Sequence, residues 1–218
     1  QSVGSAKPGR RALKKPYFMI NHKKFVDGAA KNDFYTSLIP NMHQKMFKEI
    51  FDFDFDFPTE AVYGLLSNKW IFRNFTNIGL IGADKKINLI KMLMSHDRYK
   101  EYLGIEKFND YISIPQKYAC DNLSKTTKSV MKQLEESSSD LFLVGVGHVK
   151  SGLLHELKKN TNAVFLDVGV GVDAIAGIIN INRPYFGLWK NYQIKNHEIY
   201  KNIDILIQLN GKISSNKN

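Results

Sequence analysis

The chain has a single cysteine, Cys120, so no disulfide can close within it and a stapled secreted scaffold is not the architecture. Cys120 also lacks any local catalytic motif, so it reads as a packed thiol. No apolar run approaches the roughly 20 residues that cross a bilayer, and no membrane span is expected. The beginning of the sequence has no signal-peptide apolar core, which points to a cytoplasmic location. The histidines (His22, His43, His96, His148, His155 and His197) show neither HxxxH spacing nor a cysteine partner, which argues against zinc. No repeat of fixed period is present. Acids are missing from residues 1–16, where Lys7, Arg10, Arg11, Lys14 and Lys15 form a basic arm expected to be disordered.

What is present is enough for one sizeable core. The chain has 218 residues, 43% hydrophobic and 24% charged. Residues 17–210 read as a single α/β domain and residues 211–218 as a frayed tail. The net charge of +10 is inflated by the arm. Lys125, Lys128 and Lys132 belong to a solvated helix face, so nucleic acid is not the expected partner. The first residue is Gln, and a module of a longer polypeptide is expected.

Hydrophobic periodicity predicts the elements in order. Met42, Met46, Phe47 and Ile50 give a helix over 41–51. The Phe/Asp alternation of 51–57 gives a strand with Asp52, Asp54 and Asp56 on one face. Thr59 is expected to cap a helix through 61–66. A strand is expected at 78–81, with Gly82–Ala83 as a turn and Asp84 capping a helix that carries Ile87, Ile90, Leu93 and Met94. A further helix over 97–103 should end at Gly104. A strand at 111–114, a helix at 122–136, strands at 141–144 and 163–167 around one helix, and a short helix at 172–179 complete the series. The span 199–209 is amphipathic without a clear period. Strands alternating with helices predict a Rossmann-like, mainly parallel sheet with helices on both faces.

In such a sheet, ligands bind beyond the carboxyl ends of the strands. Two glycine turns lie there. In Gly145-Val146-Gly147-His148, small residues would let backbone N–H groups approach a phosphate beside a helix start. The spacing is neither GxGxxG nor a Walker loop, and a tight strand-to-helix turn explains it as well. In Asp167-Val168-Gly169-Val170-Gly171-Val172-Asp173, Asp167 would accept a ribose or sugar hydroxyl or share a metal with Asp173. The bland alternative is a helix cap. This turn is superficially similar to the acidic-glycine loop of S-adenosylmethionine-dependent methyltransferases, which keeps that reading, or another nucleotide-binding Rossmann enzyme, open. Arg183 beside Tyr185, Trp189 and Tyr192 suits a pyrophosphate with a stacked ring, or plain surface packing.

The run LFLVGVGHVKSGLLHELKKNTNAVFLDVGVGVDAIAGI…RPYFGLW resembles the C-terminal half of D-type (GT-D) glycosyltransferases. Gly145 and Gly147 match the family's first turn. Asp167, Gly169 and Asp173 match the second, and Gly177 with Arg183-Pro184-Tyr185 matches the last. The resemblance covers residues 77–189, about half of the chain. It implies transfer of a sugar from a nucleoside-diphosphate sugar, UDP foremost, to a glycan or glycoprotein acceptor, with Mn²⁺ or Mg²⁺ as the implied ion. It implies catalytic roles for Asp167, Glu60 and Asp173, and donor binding by Gly82, Lys85, Gly145, Gly147, His148, Gly169, Arg183, Tyr185 and Trp189. The family's Arg-x-Gly-Asp-Gly-Glu segment is missing. Pro58-Thr59-Glu60 is its nearest counterpart, with Asp56 as a substitute carboxylate. That departure leaves a third possibility, a glycosyltransferase fold retained only for binding. Asp52, Asp54 and Asp56 also resemble the DxD metal site of A-type glycosyltransferases, although an acidic strand face accounts for them.

Overall fold

The computed structural model describes residues 57–115 and 122–178, with Thr36–Ser37, Glu49, Ala119 and Phe186 besides. The basic arm, the 41–51 helix apart from Glu49, the 199–209 span and the tail lie outside the described residues, as do Asp52, Asp54, Asp56 and Cys120. Strands β1 (Thr36–Ser37) and β2 (Phe57–Pro58) form a short parallel pair. They lead to α1 (Thr59–Ser67) and α2 (Trp70–Asn74). The regular part follows as β3 (Ile78–Ala83), α3 (Asp84–Leu93), α4 (Asp97–Leu103), β4 (Asp110–Ile114), α5 (Leu123–Leu134), β5 (Leu141–Gly145), α6 (Lys150–Leu157), β6 (Val164–Asp167) and α7 (Val170–Ile175).

The four main strands lie in the order β4-β3-β5-β6, and every neighbouring pair is parallel. This is the expected Rossmann-like α/β architecture. Strand β3, Ile-Gly-Leu-Ile-Gly-Ala, is buried at all six positions, as a strand covered on both faces must be. Its side chains divide between two cores. Ile78 and Leu80 meet α1, α2, α3, α4 and α7 on one face, whereas Ile81 joins Phe142, Val144 and the inner sides of α5 and α6 on the other. Period-two alternation thus sorts the helices, and both faces are covered.

Several boundaries differ from the sequence reading for identifiable reasons. Gly82 and Ala83 do not turn but extend β3, because they pair with Ser113 and Ile114 of β4. Asp84 opens α3 without capping it; its Oδ1 accepts the Lys85 N–H at 2.7 Å. Helix α7 begins at Val170 and stops at Ile175, with Gly177 at φ 75°, so the expected span of 172–179 is shifted toward the N-terminus. Helix α4 ends at Gly104 as expected, at φ 77°. Asn122 caps α5 by accepting the Lys125 N–H at 3.0 Å. Helix α2 was not foreseen. It starts after Lys69 at φ 64°, an uncommon conformation for a side-chain-bearing residue. The Lys69 ammonium donates to the Tyr102 carbonyl and lies 3.7 Å from the centre of the Tyr102 ring, which anchors the turn. At the amino ends of the strands, Asp110 Oδ2 accepts the Ser138 and Ser139 N–H groups at 3.0 and 2.9 Å. That end is closed by its own hydrogen bonds.

Two glycines separate rigid from yielding contacts. A Cβ on Gly79 would lie 2.3 Å from Phe142 Cε1, and Phe142 is fully buried and stacked on Phe165 at 5.3 Å. A Cβ on Gly152 would meet Leu123 Cδ2 at 2.2 Å, the far end of a half-buried side chain. Gly79→Ala should therefore destabilise by about 1–3 kcal/mol. Gly152→Ala should be close to neutral, because alanine's helix preference of about 1 kcal/mol offsets the shift of Leu123. Urea unfolding midpoints with unchanged slopes check both.

A pH effect follows from β4. Burial pushes the Tyr111 phenol above its ordinary value, and a backbone hydrogen bond at Phe108 opposes this more weakly. The folded state therefore holds this proton more tightly than the unfolded state. The resulting stability is complete below about pH 10 and is lost as pH rises through the folded value. Lys69 works in the opposite sense, since burial and then Arg73 lower it, so stability gains as pH rises toward its ordinary range. Tyr111→Phe isolates the first effect: its Tm should fall less than that of the parent protein on going from neutral to strongly alkaline pH.

Candidate functional site

Parallel strands in register bring their carboxyl ends level. Gly82 stands opposite Gly145, and Val144 opposite Asp167, so β3, β5 and β6 finish along one rim. From β3 the chain leaves along the face that carries α3; from β5 it leaves along the opposite face, by α6. The strand order therefore reverses between β3 and β5, which is the position where open α/β sheets form a ligand crevice.

Gly145 and Gly82 have a packing reason to be glycine. A Cβ on Gly145 would fall 2.6 Å from Val172 Cγ2 and 2.8 Å from the Gly169 carbonyl oxygen. On Gly82 it would lie 3.3 Å from Val172 Cγ1. One valine of α7 thus covers both glycines on that face of the sheet. The small size read from the sequence as approach to a diphosphate here admits a helix. Gly147 differs: it is exposed, has φ 57°, and a Cβ there would meet nothing within 4 Å. It opens the short 3-10 turn Gly147–Val149 that precedes α6.

Asp167 ends β6 with its side chain only 1% exposed. Its Oδ2 accepts from Lys150 Nζ at 2.7 Å, and Lys150 is itself buried. Its Oδ1 accepts the Gly169 N–H at 3.0 Å. Gly169 has φ 47° and ψ −112°, a conformation that only glycine tolerates easily. Both oxygens are therefore engaged, and the carboxylate expected to bind a sugar hydroxyl or act as a base serves as a strut. Lys150 was missed. Its signal was a lysine at the first position of a helix, where the positive helix end disfavours a cation unless a carboxylate is near.

Asp173 forms an ion pair with Lys86, which ties α7 to α3. The lysines that hold Asp167 and Asp173 come from helices on opposite faces of the sheet. The two carboxylates do not fit a shared Mn²⁺ or Mg²⁺. Among the described residues no group of three or more His, Cys, Asp or Glu side chains is arranged for a metal. Glu60 lies in α1, with its side chain outside the described residues, as is the side chain of His148 in the 3-10 turn. Arg183, Tyr185 and Trp189 also lie outside them.

Lys85 is exposed at the start of α3, beside the end of β3. Tyr63, a second residue the sequence reading missed, reaches the rim from α1. Its hydroxyl would be 3.6 Å from a Cβ on Gly169, and its ring meets Phe186 edge-on at 5.3 Å between centres. Phe186 comes from the RPYFGLW run of the sequence, so α1, the Gly169 turn and Phe186 itself converge there. Among the described residues no helix is long and apolar enough to cross a membrane.

No family model, curated protein or solved structure matches the chain. The likeness to D-type glycosyltransferases thus rests on the quoted residues alone.

The ion pair gives a sharp stability test. Asp167→Asn leaves the Lys150 ammonium buried without a counter-charge and should cost about 3–5 kcal/mol. Replacing both residues with Lys150→Met and Asp167→Leu should recover most of that loss. A double-mutant cycle by chemical denaturation measures the difference.

Proposed function

We propose that the chain is a nucleotide-sugar-dependent glycosyltransferase domain, taking a UDP-sugar foremost and delivering the sugar to a glycan or glycoprotein. The observation that carries this reading is the level rim at the switch point, where the open Gly147 turn leads into α6. Backbone N–H groups at such a turn, with the positive helix end behind them, suit a diphosphate. Lys85 supplies an exposed cation for the charge that develops as the diphosphate leaves. In this reading Asp167 keeps the turn in shape, and Glu60 is the remaining carboxylate for orienting the acceptor or taking its proton. The likeness of Gly145, Gly147, Asp167, Gly169 and Asp173 to the family's turns supports the same assignment. A cytoplasmic location accompanies it.

One observation favours a second reading. Asp167 and Asp173 are each neutralised by a lysine, as expected of a glycosyltransferase fold kept for binding alone.

Calorimetry with UDP-sugars, UDP and S-adenosylmethionine, followed by donor hydrolysis with and without Mn²⁺, separates the readings. The first expects UDP-sugar binding and turnover. Binding without turnover selects the second, and a response to S-adenosylmethionine alone overturns both. Lys85→Ala, which removes one charge-assisted contact, should weaken UDP binding by about tenfold.

A further inference from the structure

The buried pair of Lys150 and Asp167 needs a reason beyond stability. Apolar side chains of similar volume would hold the same space at least as well. Helix electrostatics do not favour it either, because Lys150 stands at the positive end of α6. What the pair does achieve is geometric.

An aspartate carboxyl turns through a broad range about its last bond. Lys150 Nζ takes Oδ2 at 2.7 Å and so aims Oδ1 at the Gly169 N–H, 3.0 Å away. Gly169 in turn presents its carbonyl to Gly145, 2.8 Å from where a Cβ would stand. The Val168 and Gly169 N–H groups also donate to the Val144 carbonyl at 3.0 and 3.2 Å, and the oriented Asp167 carboxylate adds the side-chain anchor that completes the turn between β6 and α7 and its spacing to the turn after β5. We propose that Lys150 is a positioning residue that acts through Asp167 to hold these two turns in the shape that binds a nucleoside diphosphate. The ligand rests on the preceding reading; the geometry does not.

Two double variants that bury no charge test it. K150M/D167N keeps a side-chain oxygen for the Gly169 N–H but removes the group that aims it. K150M/D167L removes the side-chain acceptor as well, leaves only the Val144 carbonyl, 3.2 Å from the Gly169 nitrogen, and so sets the floor. Amide hydrogen exchange at Gly169 is followed by NMR, and UDP is titrated into each protein. In K150M/D167N, Gly169 should exchange about tenfold faster than in the parent protein, close to the floor, as for one lost hydrogen bond. UDP binding should weaken by about tenfold, with Tm little changed. Parental exchange in K150M/D167N would overturn the proposal. Faster exchange with unchanged UDP affinity would overturn the positioning role. If the parent protein itself ignores UDP and UDP-sugars, the glycosyltransferase reading falls, and exchange at Gly169 alone decides whether Lys150 sets the turn.

Discussion

Two opposite charges held 2.7 Å apart, nearly without solvent, constrain the carboxyl-end rim of the sheet more than any apolar contact. Each ion loses several kcal/mol of hydration on burial, so neither is tolerated there without the other. Lys150 reaches Asp167 from the first residue of α6, so α6 must begin within a lysine side chain's length of the end of β6. This requires the turn after β5 to be short and the two strands to finish level. The parallel pairing of Val144 with Asp167 meets that requirement. The ion pair, the register and the length of the turn are therefore one constraint seen three ways.

Helix α7 completes the rim from the other face. Val172 sits over Gly82 and Gly145, two residues opposite each other in neighbouring strands. Any larger side chain at Gly145 would push α7 away and strain the Gly169 turn. The ion pair of Lys86 with Asp173 ties α7 to α3, and the Tyr99 hydroxyl donates to the Ile175 carbonyl from α4. The rim is braced on both faces, and among the described residues Gly147 and Lys85 are exposed along it. This division of labour, braced glycines beside an open one, is what a rigid scaffold with a ligand loop requires.

The alternation of strands and helices was legible because the strands are short apolar runs, two of them closed by Gly145 and Pro115. Helix α4 was legible from its Gly104 stop, and the sorting of helices to both faces follows from that order of elements. The ends of β3 and α7 were not. A glycine at a strand's end reads as a turn unless the partner strand is known, and Gly82 continues the ladder only because β4 and β5 lie on either side. The reason for Gly145 was equally hidden, since sequence cannot separate a glycine that admits a phosphate from one that admits Val172. Lys150 and Asp167 are 17 residues apart and of types usually found on surfaces, so nothing local revealed their union. Helix α2 depends on a long-range contact between Lys69 and Tyr102, which leaves no periodic signal.

The functional account stands on the rim as the place where the ligand lies. Amide hydrogen exchange across the whole chain, with and without a saturating UDP-sugar, tests that most directly. The account predicts protection concentrated at the turn of Gly145, Val146 and Gly147 and at the turn of Val168 and Gly169, with the amino ends of the strands unchanged. Protection confined to other parts of the chain, or none at any UDP-sugar concentration, would contradict it.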